Sequence, residues 1–330
     1  MSPAGPLHPA VAATRRAVRR ALSGFDGGAT VVVALSGGAD SLALAAATAF
    51  EAPKRGLRVV SVTVDHGLQS DSADAAARAA QQASGLGIES RVVRVDVGGD
   101  GGPEAAAREA RYRALADAAA EAGAAAVLVA HTLDDQAETV LLGLARGSGA
   151  ASLQGMAPEA EVLGIAVLRP LLGLRRSQTR AACAAQGLQP WDDPHNDDPR
   201  FARARVRQRV LPVLEEELGP GVAEALARTA EQLREDSDAF ADMIDEVVED
   251  LVEHAEAGIS VSVPALAANP AALRHRIIRH VVASEFAVSL SRAHTLEVAR
   301  LVTDWSGQGP IDLPGCRARR VGGRLEFTAR

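Results

Sequence analysis

The chain has 330 residues, 47% apolar and 23% charged, a balance that excludes a disordered tail or a coiled coil and predicts a soluble globule of about two domains. Its 35 basic and 42 acidic residues leave a formal charge of −7, which as an average argues against a nucleic-acid partner. No window reaches the ~18 apolar residues of a membrane span, no apolar stretch follows Arg15, Arg16, Arg19 and Arg20, and Cys183 and Cys316 are too few for a disulfide scaffold, so a cytoplasmic protein is expected.

Short β-branched runs at 30–35, 57–64, 88–97 and 126–130 alternate with alanine-rich stretches near 40–50, 70–85 and 103–122. This alternation predicts βα units feeding a parallel sheet covered on both faces. A further apolar run at 162–168 precedes Arg169-Pro170, and a helix is expected from about 177 to 186. Residues 20–190 therefore read as a doubly wound α/β fold. The segment 190–199 (PWDDPHNDDP) is rich in turn formers and reads as a linker or an active-site loop. From 215 to about 256 apolar residues recur at helical spacing in a strongly acidic stretch, the start of a second, helical domain. The tail at 309–328, with Pro314-Gly315 and Gly322-Gly323, reads as hairpin-like. The expected division is an α/β domain with an arginine-rich linker at 1–214 and a smaller helical domain with a short β tail at 215–330.

The first strand runs directly into Ser36-Gly37-Gly38-Ala39-Asp40-Ser41 and then into an apolar helix. A glycine-rich turn between a strand and a helix N-terminus offers backbone N–H groups and the positive end of the helix dipole to an anion, so a phosphate is expected there. The alternative is a plain helix start with a Ser/Asp cap. The lysine of a Walker loop is missing, because Lys54, the sole lysine, lies beyond the helix, and the G-x-G-x-x-G spacing is absent too. The hexapeptide resembles the pyrophosphate-binding loop of the N-type ATP pyrophosphatases (the PP-loop superfamily). That resemblance implies ATP as co-substrate, bound by Ser36, Gly37, Gly38, Ala39, Asp40 and Ser41, with Asp40 near Mg²⁺.

Further stretches narrow the resemblance. The second strand ends in Val64-Asp65-His66-Gly67-Leu68 and the fourth in His131-Thr-Leu-Asp134-Asp135-Gln-Ala-Glu138-Thr139, both at carboxyl ends where open α/β sheets bind ligands. Between them lies Glu104-Ala-Ala-Ala-Arg108-Glu109-Ala-Arg111-Tyr112, with both arginines on one helix face. With Arg146-Gly-Ser-Gly149, Leu153-Gln-Gly-Met156, Arg169-Pro-Leu-Leu172 and Trp191-Asp-Asp-Pro-His-Asn196, these resemble the tRNA(Ile)-lysidine synthetases over residues 30–214.

The resemblance implies a ligase that uses ATP to adenylate the carbon-2 oxygen of the wobble cytidine (position 34) in the CAU anticodon of tRNA(Ile). Free L-lysine then displaces AMP to give lysidine, which changes codon reading from AUG to AUA. The residue chemistry is compatible. Asp135 and Glu138, one turn apart, can hold the lysine ammonium and take its proton, and Arg111 can clamp a carboxylate or a phosphate. His131 and His66 stand at strand ends to bind substrate or polarise a phosphate. The plainer alternatives are an N-cap cluster at 134–135 with Glu138 as a first-turn acid, packed histidines, and Tyr112 in the helix–sheet seam.

Beyond Asn196 stand five arginines in ten residues, among them Arg203, Arg205 and Arg207, beside Phe201. This is a phosphate-binding footprint, or else a solvated face paired with Glu215, Glu216 and Glu217. In the resembling family this stretch has a similar form, which favours tRNA contact. Arg317, Arg319, Arg320 and Arg324 form a weaker candidate patch. The chain ends earlier than the family's long bacterial forms, so any extra tRNA-gripping module is expected to be missing or reduced, and a homodimer is left open. A thiolase would need C-x-x-C cysteines; small-molecule amidating ligases lack the arginine-rich segment; and a nucleotide-sensing module without turnover is the rival from another class. Resolved by segment, residues 215–256 hold 15 acids and 2 bases, leaving the rest of the chain at +6, so the acidic average does not exclude RNA.

Overall fold

The computed structural model describes residues 7–67, 71–95, 103–147, 149–193, 197–255 and 258–330. Leu68, Ser148 and residues 194–196 of the quoted motifs lie outside these, as does the side chain of Glu104. The chain forms two compact units, residues 1–234 and 235–330. The division falls twenty residues beyond the boundary drawn from composition.

The first unit opens with α1 (Pro9–Ala21), β1 (Thr30–Ala34), α2 (Ala39–Glu51) and β2 (Arg58–Asp65). It continues through α3 (Ser72–Gly85), β3 (Glu89–Arg94), α4 (Pro103–Glu121), β4 (Ala124–Leu128), α5 (Leu133–Ala145) and α6 (Ala150–Leu153). Next come β5 (Glu159–Val162), β6 (Ile165–Leu168), α7 (Arg176–Ala185), α8 (Ala202–Arg205), a π turn at Val206–Val210, α9 (Leu211–Glu217) and α10 (Val222–Leu251), within which the division falls. The sheet order is β3-β2-β1-β4-β6-β5, parallel except for β5 against β6. Strand alternation splits the core. Val31 and Val33 pack with α1, α2 and α7, whereas Val32 packs with Val60, Val62 and Leu115 on the α4 side.

The apolar run at 162–168 is split by a turn. Leu163 adopts a positive φ beside Gly164, and the chain doubles back as the β5–β6 hairpin. Likewise the acidic helix expected from 215 is interrupted at Gly219-Pro220. The Glu215 carboxylate accepts N–H bonds from Gly221, Val222 and Ala223 at 2.6–3.2 Å and so caps α10, which holds that carboxyl below its usual range.

The second unit keeps the expected helices and β tail but holds more strand than a short hairpin. After α10 come β7 (Val252–Ala255), β8 (Gly258–Ser262), α11 (Val263–Ala268), α12 (Ala271–Phe286), α13 (Arg292–Thr303), β9 (Ile311–Leu313), β10 (Cys316–Val321) and β11 (Arg324–Ala329). The expected tail hairpin is β10–β11, and it belongs to a five-stranded antiparallel sheet ordered β7-β8-β11-β10-β9. Phe327, Leu325 and Ala318 bury one face of it against Ile277, Val281 and Val298. Strands of three to six residues carry too little alternation to be read from sequence. Among the described residues no helix is long and apolar enough to cross a membrane.

Candidate active site

The loop between β1 and α2 has the geometry of an anion cradle. Gly37 adopts φ +83°, and a Cβ there would lie 3.2 Å from the Ala79 methyl, so the position suits glycine on two counts. Gly38 is the N-cap of α2 and provides no side chain, which leaves the first-turn N–H groups open to a ligand. Ser41 braces the turn from inside. Its Oγ donates to the Gly38 carbonyl at 2.9 Å and accepts from the Ser36 N–H and Oγ at 3.2 and 3.1 Å. The Trp191 N–H bonds the Gly37 carbonyl at 2.9 Å, so the aspartate-rich segment docks on the loop and acts as more than a spacer.

Asp40 turns from the loop towards α7. Its Oδ1 accepts from the Thr179 hydroxyl, and its Oδ2 lies 3.5 Å from the Arg176 guanidinium. Burial raises its pKa above the ordinary aspartate value despite these two partners.

Arg176 links Asp40 to the acids of α5. Its guanidinium donates to Asp135 at 2.8 Å and lies 3.4 Å from Glu138, while its backbone N–H donates to Asp134 at 2.7 Å. Asp135 also forms a capping box: its Oδ2 accepts from the Thr132 N–H and hydroxyl, both at 2.8 Å. Although burial works against it, Arg176 and Thr132 together hold the Asp135 carboxyl below its usual range. Glu138 is fully buried and takes a forked pair from Arg207, Nε to Oε1 at 2.8 Å and Nη2 to Oε2 at 3.2 Å. The Arg203 Nε stands 3.9 Å from Glu138, and its Nη2 donates to the Thr139 hydroxyl at 3.2 Å. Packing of Ala137 and Leu141 with Val206, Leu211 and Ala223 fixes the arginine-rich segment on α5.

A cationic group borders these acids. Arg108 and Arg111 lie 4.9 and 5.3 Å from the Tyr112 ring, and neither has a carboxylate partner among the described residues. Burial lowers the Arg111 pKa. His131 is pushed down to about 3, first by burial and then by the charges of Arg111, Arg169 and Arg108, so it is a neutral imidazole at ordinary pH. The Nδ1 atoms of His131 and His66 are buried without a hydrogen-bond partner among the described residues. The His66 pKa is lowered too, by burial and by Arg111.

The structure thus gathers Asp40, Asp135, Glu138, His131 and Arg111 into one chain of contacts and fields at the carboxyl ends of β1 and β4. Arg203 and Arg207 join it as partners of acids. Arg205 turns away, its Nη1 bonding the carbonyls of Pro199 and Arg200 at 2.8 Å. Sequence reasoning missed Arg176 and Thr179. One signal was present, because Arg175-Arg176 opens a helix, where the dipole disfavours cations, and only carboxylates waiting there offset that cost. Neither cysteine supplies a thiolate. Burial pushes the Cys183 thiol up to about 12, and Cys316 is buried in the core of the second unit.

Comparison with known proteins agrees with this geometry. Residues 12–214 match the family model described as a PP-loop domain, and residues 261–326 the model described as TilS substrate binding domain. The tRNA(Ile)-lysidine synthase of Leifsonia xyli subsp. xyli is 62% identical over 91% of this chain and 90% of its own length. That of Salinispora tropica is 53% identical over 97% and 96%. Among solved structures, the U34-tRNA thiolase NcsA from Methanococcus maripaludis with its [4Fe-4S] cluster shares the fold, with TM-score 0.58 and 21% identity over 68% of this chain and 79% of that one. A phosphate-binding loop joined through Arg176 to the acids of α5, on a chain matched along almost its whole length, has one family reading: the chain belongs to the tRNA(Ile)-lysidine synthases.

Proposed function

We propose that the chain is the cytoplasmic ligase that adenylates the wobble cytidine of the CAU anticodon of tRNA(Ile) with ATP and attaches free L-lysine, releasing pyrophosphate and AMP. The observation that carries this reading is the union of two parts in one cluster: a loop built for pyrophosphate, and a pair of carboxylates suited to an ammonium ion, joined by Arg176.

ATP phosphates rest on the N–H groups of the loop from Gly37 to Ser41. Asp40 is the one loop carboxylate, half-buried and destabilised by that burial, and it gains from a cation. It would hold Mg²⁺, a cation that is bound through one or two carboxylates in nucleotide sites. Bound there, such an ion would supply positive charge to offset that of the phosphates. The base oxygen forms its bond to that phosphorus as the bond to pyrophosphate breaks. Asp135, kept ionised by Arg176 and Thr132, holds the lysine ε-ammonium. Glu138 takes its proton, and the freed amine attacks carbon 2 and expels AMP. Neutral His131 donates or accepts one hydrogen bond at this centre, and Arg111 clamps an anion, either the lysine carboxylate or the phosphate.

Arg207 occupies the place the ammonium needs on Glu138. RNA phosphates that attract Arg203 and Arg207 release Glu138 to act as base, which links the arginine-rich segment to both tRNA and lysine. Arg205 is the exposed anchor of that segment. Pyrophosphate release tests the reading: it is expected to depend on both lysine and an RNA with a CAU anticodon, and release indifferent to either removes the lysidine assignment.

A further inference from the structure

Two sets of arginines lie in the second unit, and their partners separate them. Three of the four arginines of the tail patch are paired with carboxylates. Arg317 bonds Asp312 at 2.8 Å, Arg319 bonds Glu326 at 2.8 Å and Arg324 bonds Glu253 at 2.9 Å, whereas Arg320 donates to the Leu301 carbonyl at 2.9 Å. The set on α12 has no such relief. Arg274, Arg276 and Arg279 of α12 and Arg292 at the start of α13 have no carboxylate within salt-bridge distance among the described residues. Arg274 and Arg276 reach only backbone carbonyls, Arg276 that of Ala272 at 3.2 Å, and Arg276 also stacks 4.0 Å from the Phe240 ring of α10.

These cations press on one another. Arg276 and Arg292 both act on Arg279, and Arg274, Arg279 and Arg292 act on His275, lowering the pKa of each beyond what burial does. A fold that packs Leu273, Ile277, Ile278 and Val281 beneath this face holds like charges together with no paired carboxylate among the described residues, a cost to stability. Arg276 and Arg279 are half-buried beside this core and so have less rotamer freedom left to lose, which lowers the entropy cost of meeting a phosphate row.

We propose that Arg276, Arg279 and Arg292 form a phosphate-backbone grip for the substrate tRNA in the second unit, and that the paired tail arginines contribute none of it. This rests on the function proposed above. It assigns residues within the stretch that matches the substrate-binding model and predicts sequence-independent, salt-sensitive contact.

The test uses the full chain, a tRNA(Ile) transcript with a CAU anticodon and fluorescence anisotropy across a salt series. Arg279→Gln with Arg292→Gln is expected to lower affinity on the order of tenfold or more at 0.1 M salt and to flatten the log–log salt slope by about 2, one unit per lost phosphate contact. The exposed Arg292→Gln alone serves as the variant least able to disturb the fold, with a slope change of about 1. Relief of like-charge repulsion is expected to leave the melting temperature of the double variant unchanged or raised. Arg317→Gln with Arg319→Gln is expected to leave affinity and slope unaltered. An unchanged slope in the α12–α13 variants, or an equal loss in the tail variants, overturns the proposal. A native chain that binds this RNA with the expected slope but shows no lysine-dependent pyrophosphate release removes the proposed function and leaves the grip standing.

Discussion

Replacing Glu138 with glutamine removes the charge around which the site is assembled. The carboxylate is fully buried and faces Arg207 at 2.8 Å and Arg176 at 3.4 Å, so Glu138→Gln leaves two guanidinium groups without their shared anion. Breaking a buried pair by deleting one partner costs about 3–5 kcal/mol. Arg207 and Arg176 retain 26% and 18% exposure and can turn in part to Asp135, which puts the loss at the lower end, about 3 kcal/mol. The first unit has 234 residues, and an unfolding entropy of about 2.1 cal/mol/K per residue gives about 0.5 kcal/mol/K. The melting temperature is therefore expected to fall by about 6 °C, read by differential scanning calorimetry. The same variant should lose lysine transfer by 10²-fold or more while the adenylation step persists, because the phosphate loop is untouched. A shift of 1 °C or less refutes the electrostatic argument. Full lysidine formation at the native rate refutes the assignment of Glu138 as proton acceptor.

Asp40 gives a pH prediction. Its folded pKa is raised, so as pH falls it takes up a proton before an ordinary aspartate does and loses its hold on a cation. The acid limb of kcat/KM for ATP in pyrophosphate release should lie above the ordinary aspartate value, and Asp40→Asn should abolish release with RNA affinity intact; a limb at the ordinary aspartate value refutes this. Gly143 supplies a packing prediction, because a Cβ there would lie 2.5 Å from the Ser152 carbonyl oxygen. Gly143→Ala is expected to cost about 1–3 kcal/mol and lower the melting temperature by about 2–6 °C, and an unchanged thermal midpoint counts against the close approach of α5 and α6.

The relation between sequence and structure differs from one residue to another. The phosphate loop was legible because strand, glycine pair and helix are consecutive, and their local conformations are set by neighbours in the chain. His131, Asp135 and Glu138 were legible as neighbours because a strand end followed by a capped helix sets where they point. Arg176 was not, because its role depends on partners about 40 and more than 130 residues away that only packing of α7 against α2 and α5 brings near. The arginines at 203 and 207 show a further limit. Sequence identifies a cluster of cations, but the seam of Leu141, Val206 and Leu211 decides that two of them face buried carboxylates and that Arg205 does not.

The sequence by itself determined the α/β class, the ATP loop, the acids of α5 and the segmental origin of the −7 charge, since each is carried by local pattern or by residue count. The tertiary structure alone decided which charges are spent. The cations of the tail and of the arginine-rich segment are largely taken up by nearby carboxylates, whereas Arg276, Arg279 and Arg292 stand together with no carboxylate partner among the described residues, and Coulomb energy depends on distances in space that no spacing along the chain contains.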